Sequence, residues 1–204
     1  MGTHASTGNT REDIIRKVAE VLREERTTAT NIESAVDKAR VDRNDVNAIF
    51  GSMHGLILEM VSGLSGELIQ PLEDRTIDRT VREVLIEFGI RLANTYSASH
   101  LIALYRIVLT EATRHSGIGK EFFERGPGKL RMCLAQYLEY SAQRSNQLRI
   151  QNSKSVADSF LSLLGDNLES DAMSATRTSS AKDHSDAVIE AVDIFCHGIR
   201  TEGQ

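Results

Sequence analysis

Residues 32–52 have the sequence IESAVDKARVDRNDVNAIFGS, and their pattern predicts two short helices joined by a tight turn. The first helix carries apolar residues at helical spacing, at Ile32, Ala35, Val36 and Ala39. The second covers residues 42–50 and has its apolar residues on one face, at Val46, Ile49 and Phe50. Asp42 is a suitable N-cap, because a short acidic side chain accepts hydrogen bonds from the free backbone N–H groups of a first turn. This arrangement is a helix-turn-helix, which proteins use to place a helix in a DNA groove.

The residues before this motif predict a third helix. Thr10 and Asp13 suit a capping box, and an apolar stripe follows them at Ile14, Ile15, Val18 and Leu22. Three such helices can share one small core, so residues 10–55 are predicted to form a helix-turn-helix DNA-binding head. Residues 1–9 are rich in Gly, Ser, Thr and Asn and are predicted to be a flexible arm.

Residues 56–204 continue the helical period with short breaks, which predicts a larger helical body. Two prolines, no tryptophan and almost no alternating runs favour an all-α fold. We expect the helix after the head to end near Pro71 and a later helix to begin at Pro127. The stretch 166–180 is polar and poorly periodic, which predicts a frayed helix end followed by a loop.

The sequence resembles the tetracycline-repressor (TetR) family of bacterial transcription regulators in several places. Residues 30–41 resemble the family's helix two and turn, and residues 42–56 resemble its recognition helix and the start of helix four. The step Phe50-Gly51-Ser52 is the best single match. Residues 101–112, 122–127 and 187–199 are similar to the effector-binding and dimerisation half of many members.

This resemblance implies a cytoplasmic DNA-binding transcriptional regulator, for which repression is the expected outcome and activation stays open. Its affinity for double-stranded operator DNA would be modulated by a small-molecule effector bound in the body, residues 56–204. The resemblance also implies a homodimer in which the last two helices pair with their copies as a four-helix bundle. The wide apolar stripes of residues 156–168 and 187–199 agree with that pairing, although the same stripes would also suit packing inside one chain.

The departures from the family pattern lie in the DNA-reading part. Arg40 stands where the family commonly has Gly, Asp42 replaces a small hydroxyl residue, Asp45 and Asn47 replace Thr and Tyr, and Met53 replaces Lys. Residues 10–55 contain eight Lys and Arg against nine Asp and Glu, a formal charge of −1. A DNA-reading domain is normally basic, because the neutralisation of phosphates supplies most of its non-specific affinity. An interaction protein of the same fold that has lost DNA binding and acts through ligand or protein contacts is therefore the alternative.

The predicted DNA contacts are Thr30, Asn31, Arg40, Arg43, Asn44, Asn47 and His54. Arg43 and Asn44 lie in the first turn of the second helix, where Arg suits guanine and Asn suits adenine. Several alternatives remain open. Thr30 either donates to a phosphate or only caps its helix, Arg43 either reads a base or pairs with a neighbouring acid (Asp42 or Asp45), and Arg40 and His54 either restore positive charge or are exposed surface residues.

A ligand pocket is predicted from bulky and polar residues on the middle helices. The predicted apolar walls are Phe88, Leu92, Tyr105, Tyr137 and Phe160, and the predicted polar contacts are Arg106 and Glu111, with His115 as a further candidate. The alternative is that the bulky residues are ordinary core and that Arg106 and Glu111 form surface or interhelical ion pairs.

No motif of an enzyme, a metal site or a cofactor site is recognised in the sequence. Gly117-Ile-Gly-Lys120 and Gly126-Pro-Gly-Lys129 lack the spacing, the following Ser or Thr and the preceding strand of a phosphate loop. The six histidines show no metal-ligand spacing. Cys133 and Cys196 lie far apart without a secretory segment before them, and no apolar run is long enough to span a membrane, so a reduced cytoplasmic protein is expected.

Overall fold

The structure, a computed structural model, describes residues 10–25, 28–29, 31–74, 78–97, 99–113, 117–145, 148–173 and 181–200. These residues contain ten helices: α1 (Arg11–Glu25), α2 (Ile32–Lys38), α3 (Arg43–Phe50), α4 (Met53–Glu73), α5 (Val81–Ser97), α6 (Ser99–Ala112), α7 (Ile118–Arg125), α8 (Pro127–Arg144), α9 (Ser153–Met173) and α10 (Ala181–Gly198). Within the same ranges the only strand-like pairing is an isolated antiparallel bridge between Leu148 and Arg200. The predicted all-α fold is confirmed.

The chain divides into two compact units. Unit one comprises residues 1–62 and 98–122, and unit two comprises residues 63–97 and 123–204. The first half of α4 and the whole of α6 therefore group with the N-terminal helices. Our predicted division into a head of residues 10–55 and a body of residues 56–204 follows the helix-turn-helix motif rather than this compactness, and it stays a prediction.

Unit one is built on the apolar stripe of α1. Ile14, Val18 and Leu22 are buried at helical spacing, and α1 packs against α2 and α6. The predicted cap is present, because the Asp13 backbone N–H donates to Thr10 Oγ1 at 3.2 Å. Burial of a continuous stripe of this kind is the main source of stability for a short helix.

Unit two has one continuous hydrophobic core formed by α5, α8, α9 and α10 and the end of α4. The α5 and α10 backbones approach closely at Gly89. A Cβ placed on Gly89 would lie 2.6 Å from Cγ1 of Val188, a distance that real side chains do not tolerate. A glycine at this position therefore sets how closely the two helices pack.

Two helices end close to the positions predicted for them. The helix α4 continues past Pro71 to Glu73. A proline inside a helix leaves the carbonyl four residues earlier without its usual donor, and here that carbonyl, of Glu67, accepts from Nη1 of Arg91 at 2.9 Å. The helix α9 ends at Met173, within the stretch 166–180 for which a frayed helix end and a loop are predicted, and residues 174–180 lie outside the described part.

The predicted start of a helix at Pro127 is confirmed, because Pro127 is the first residue of α8. Its missing N–H carries no cost there, since the first turn has no intrahelical acceptor for it. In the described part of the chain no single helix is long and apolar enough to cross a membrane, and only the bent pair of α3 and α4 passes that test by length and composition when taken together.

Candidate nucleic-acid interface

The turn between α2 and α3 is a Schellman motif with arginine in the left-handed position. Arg40 has a φ of 54°. Its N–H donates to the Asp37 carbonyl at 3.1 Å, and the Val41 N–H donates to the Val36 carbonyl at 3.1 Å. Val36 and Val41 are both buried, which completes the motif with its usual apolar contact. This backbone conformation explains why glycine suits the position better than arginine does.

The helix α3 has defined ends. Asp42 is its N-cap, as predicted, and its carboxylate accepts from the Asn44 N–H at 2.8 Å. Gly51 ends the helix with a φ of 79°, and its N–H donates to the Asn47 carbonyl at 3.0 Å. The buried Val46 anchors the helix, while Arg43, Asn44 and Asn47 are exposed.

The corner after α3 fixes the orientation of this helix against α4. The Gly55 N–H donates to Ser52 Oγ at 2.9 Å. A Cβ on Gly55 would lie 2.0 Å from the Phe50 carbonyl oxygen, so a larger residue would require the corner to move.

Arg11 in the first turn of α1 ties the same corner to the rest of the head. Its Nη2 donates to the Ile49 carbonyl at 3.2 Å, its Nη1 lies 2.7 Å from Glu59 Oε1, and its guanidinium lies 5.1 Å from the centroid of the Phe50 ring. Arg11 thus contacts α3 and α4 at once. Sequence reasoning missed it, because no spacing rule connects residues 38 positions apart.

The positive charges of the head are largely engaged by its own acids. Nε of Arg43 donates to Oδ1 of Asp37 at 2.9 Å, and Nη2 donates to Oδ2, so the pair is bidentate. The hydrogen bond from Arg43 holds the pKa of the Asp37 carboxyl below its usual value. Lys38 likewise pairs with Glu25.

On the α1 surface Arg16 and Lys17 both pair with Asp13. Arg40, in contrast, is exposed and forms no ion pair with any residue that the structure describes. Together these pairs leave few positive charges of the head without an acidic partner.

The structure gives the predicted DNA contacts different environments. Thr30 lies outside the described residues, and Asn31 caps α2 by accepting from the Ser34 N–H at 2.7 Å. Arg43 does pair with an acid, as the alternative supposed, but the acid is Asp37 of α2 and not a neighbour on its own helix. Asn44 and Asn47 are exposed on the same helix face.

His54 lies at the start of α4 and contacts α6. Its Nε2 is 3.7 Å from Oε2 of Glu111, one of the predicted ligand contacts. Both residues belong to unit one. The contact therefore joins the first turn of α4 to a helix that sequence reasoning assigned to the ligand-binding body.

The other predicted ligand residues fall into two sets. Phe88, Leu92, Tyr137 and Phe160 are buried in the core of unit two, where the Phe88 and Phe160 rings lie 6.4 Å apart. Tyr105 belongs to unit one and packs edge-on against Phe122 at 5.0 Å, and Arg106 is exposed. His115 lies outside the described residues.

Comparison with known proteins identifies the second half of the chain. The model of the C-terminal domain of AefR-like transcriptional repressors matches residues 83–198, more than half of the sequence. No functionally curated protein matches the chain significantly.

Solved structures of TetR-family regulators have a similar fold along nearly the whole chain. A regulator from Mesorhizobium loti MAFF303099 gives a TM-score of 0.71 at 15% identity, covering 94% of this chain and 96% of that chain. The flavonoid-responsive regulator FrrA gives 0.67 at 21% identity, covering 95% and 98%. A regulator from Agrobacterium tumefaciens gives 0.64 at 20% identity, covering 94% of each chain. The match of the C-terminal domain, on a chain whose N-terminal helices form a capped helix-turn-helix, shows that this protein belongs to the TetR family of transcriptional regulators.

Proposed function

We propose that this protein is a cytoplasmic, homodimeric transcriptional repressor that binds double-stranded operator DNA and releases it when a small-molecule effector binds. The exposed face of α3 is the observation that carries the proposal. Arg43, Asn44 and Asn47 project from it, while the buried Val46 and the two caps hold the helix. These side chains are the types that read guanine and adenine in the major groove.

To read a base, Arg43 must leave its ion pair with Asp37 and bind guanine instead. Its guanidinium is bound to Asp37 in the free protein, and both side chains are about half exposed. Ion pairs between exposed side chains contribute little to stability, so guanine can replace Asp37 at small cost. Arg40 is the side chain best placed to contact a phosphate without first losing an acid partner.

Dimerisation through α9 and α10 is proposed from apolar side chains on their outer faces. Leu163 is 38% exposed and Ile194 is 58% exposed. The nearby side chains of Phe160 and Phe195 are buried in the core of the unit. A second copy of the same surface would remove both leucine and isoleucine side chains from water. The dimer would present two α3 helices to two half-sites of a palindrome.

The effector proposal rests on the contact between His54 and Glu111, one of the predicted ligand residues. A ligand that favours one position of α6 would act through Glu111 on the first turn of α4, next to α3. The operator affinity would then change by the difference between the ligand's affinities for the two conformations. The description of FrrA as flavonoid-responsive supports an aromatic ligand for a chain of this fold.

Selection of bound fragments from a random double-stranded DNA pool, at low salt, tests the proposal. We expect a palindromic motif from the parent protein. Arg43→Ala should reduce the preference for one base pair per half-site by roughly tenfold. Arg40→Ala should lower the affinity for all DNA sequences by a similar factor. Failure of folded, dimeric protein to enrich any sequence would contradict the proposal.

The alternative function is that of a TetR-family interaction protein without DNA binding, and the internally paired charges of the head favour it. If charge is the obstacle, the double variant Asp45→Thr/Met53→Lys should gain affinity for random-sequence DNA that the parent lacks. A parent protein that already binds DNA would refute this alternative.

A further inference from the structure

Unit two contains an open cleft of about 780 Å³ where several helix ends meet. Arg79 and Arg82 lie on it at the start of α5, Arg144 at the end of α8, and Arg200 just after α10. We call this site the arginine cleft. Its volume is within the range of ordinary small-molecule sites, roughly 300–1,000 Å³.

Two of the four arginines are neutralised by neighbouring acids. Arg79 Nη2 lies 2.6 Å from Oε2 of Glu87, and Arg82 donates to both carboxylate oxygens of Asp193 at 2.6 and 3.0 Å. These pairs keep the pKa of the Glu87 and Asp193 carboxyls below their usual values, because a bound guanidinium stabilises the charged form. They hold the wall of the cleft in place and leave little charge for a ligand.

Neither of the other two arginines forms an ion pair with a carboxylate in the part of the chain that the structure describes, although the charge of Arg200 contributes to lowering the pKa of Asp193. Arg144 Nη1 donates to the hydroxyl of Tyr140 at 2.9 Å, and its guanidinium lies 5.5 Å from the centroid of the same ring. Arg200 is exposed at the same cleft and is followed by residues outside the described part. Guanidinium groups in this state are suited to bidentate binding of a carboxylate, sulfonate or phosphate.

The remaining lining favours a ligand with a flat apolar part. Tyr137 and Val84 line the base of the cleft with only their edges exposed, Leu148 is half-buried beside them, and the Tyr140 ring is 37% exposed. Asp74 and Asp78 also line the cleft, and they would accept hydrogen bonds from hydroxyl groups of a ligand while disfavouring a second anionic group near them. A single negative charge and an aromatic ring fit this distribution.

We propose that the arginine cleft binds an aromatic organic anion, with Arg144 and Arg200 holding the anionic group and the Tyr137–Tyr140 wall holding the ring. Of the ligand residues predicted from sequence, Tyr137 is the one that this cleft contains. The site is thus different from the predicted effector pocket, and it does not require that the protein bind DNA.

A pair of fluorescent probes that differ by one anionic group tests this assignment. 8-Anilino-1-naphthalenesulfonate carries a sulfonate, and N-phenyl-1-naphthylamine has the same ring system without it. We expect the full-length protein to bind the sulfonate probe more tightly than the neutral one. The double variant Arg144→Gln/Arg200→Gln should bind the sulfonate probe about tenfold more weakly, with little change for the neutral probe.

Arg149→Gln is the matched control, because Arg149 is exposed close by in sequence and does not line the cleft. Arg149→Gln should leave the affinities for both probes unchanged. Arg144→Lys/Arg200→Lys should keep part of the affinity for the sulfonate probe, which would show that the site still folds. Equal affinities of the parent for the two probes, unchanged sulfonate affinity in the Gln double variant, or an equal loss in Arg149→Gln would overturn the proposal.

Discussion

Arg40 is the one non-glycine residue with a positive φ in the described part of the chain, at 54°. A side chain with a Cβ is strained in this region by about 1–2 kcal/mol, because the Cβ approaches the following carbonyl. The turn keeps this conformation because the Schellman hydrogen bonds and the buried Val36 and Val41 require it.

Arg40→Gly should therefore raise the free energy of unfolding by about 0.5–1 kcal/mol, after the entropy of glycine in the unfolded chain is subtracted. Arg40→Ala removes the same charge and keeps the Cβ, so it should leave stability nearly unchanged. Urea denaturation of both variants measures the difference. Equal stabilities of the two would mean that the turn is not strained in solution.

His100 is a buried histidine of unit one, with 8% of its surface exposed and no hydrogen-bond partner for Nδ1 among the described residues. Burial lowers its pKa, and the positive charge of Arg23 lowers it further. The unfolded chain therefore binds a proton at His100 at a higher pH than the folded chain does. Its contribution to stability is full above the unfolded pKa, near pH 6.5, and is lost as the pH falls through the lower folded pKa.

We expect the free energy of unfolding to fall between about pH 7 and pH 5, and to fall less steeply in His100→Gln. Urea denaturation across that pH range tests this, with His197→Gln as the control, because His197 is exposed on α10. Parallel pH profiles for the parent and His100→Gln would show that the buried imidazole does not contribute.

Arg43 of α3 is ion-paired with Asp37 of α2, and this pair limits the positive charge available to DNA. Asp37→Asn should release Arg43 and raise the affinity for random-sequence DNA several-fold, since one more cation can then neutralise a phosphate on each head. Glu33→Gln removes the same charge from α2 without freeing a hydrogen-bonded arginine, so it should have a smaller effect. Fluorescence anisotropy at low salt measures both, and identical gains would show that only the net charge matters.

The helices that could be predicted from sequence are those whose signals are local. The cap at Asp42, the cap at Thr10 and the apolar stripes of α1 and α3 all act within one turn of helix, so the residues themselves determine them. The continuation of α4 past Pro71 could not be predicted, because the carbonyl that proline leaves free is satisfied by Arg91 of α5. Asp37 could not be predicted as the partner of Arg43 either, because the contact joins two helices. The pairing rules that apply within one helix indicate Asp42 or Asp45 instead.

The predicted ligand residues show a further limit of sequence reasoning. Phe88 and Phe160 were chosen because they are large and inward-facing, and both are packed in the core of unit two. The arginine cleft was not predicted, because Arg79, Arg144 and Arg200 are far apart in sequence and meet only where helices end. Periodicity identifies the buried face of a helix and carries no information about such meeting points.

The proposed dimer makes a prediction for the whole molecule. Ile194→Asp should shift the protein to monomers, because it places a charge in the proposed apolar interface. Leu109→Asp is the matched control, since Leu109 is 65% exposed on α6 and lies outside α9 and α10. Sedimentation equilibrium distinguishes them, and an unchanged dimer in Ile194→Asp, or a monomeric parent, would contradict the proposed interface.

The proposed repressor reads DNA with a head whose positive charges are mostly held by its own acids. Affinity for an operator should then come mainly from base contacts, with counterions released by only about two to four positive charges per dimer, those of Arg40 at phosphates and Arg43 at bases. The logarithm of the binding constant should fall against the logarithm of salt concentration with a slope of about −2 to −4, whereas a head making about 6–10 phosphate contacts gives a slope steeper than about −5.

Measurement of this salt dependence on the palindrome recovered from the random pool, beside a scrambled duplex of the same composition, is the experiment to make. Our account predicts the shallow slope for the palindrome, with specific binding retained at physiological salt. A steep slope shared by both duplexes, or no preference for the palindrome at any salt concentration, would contradict it.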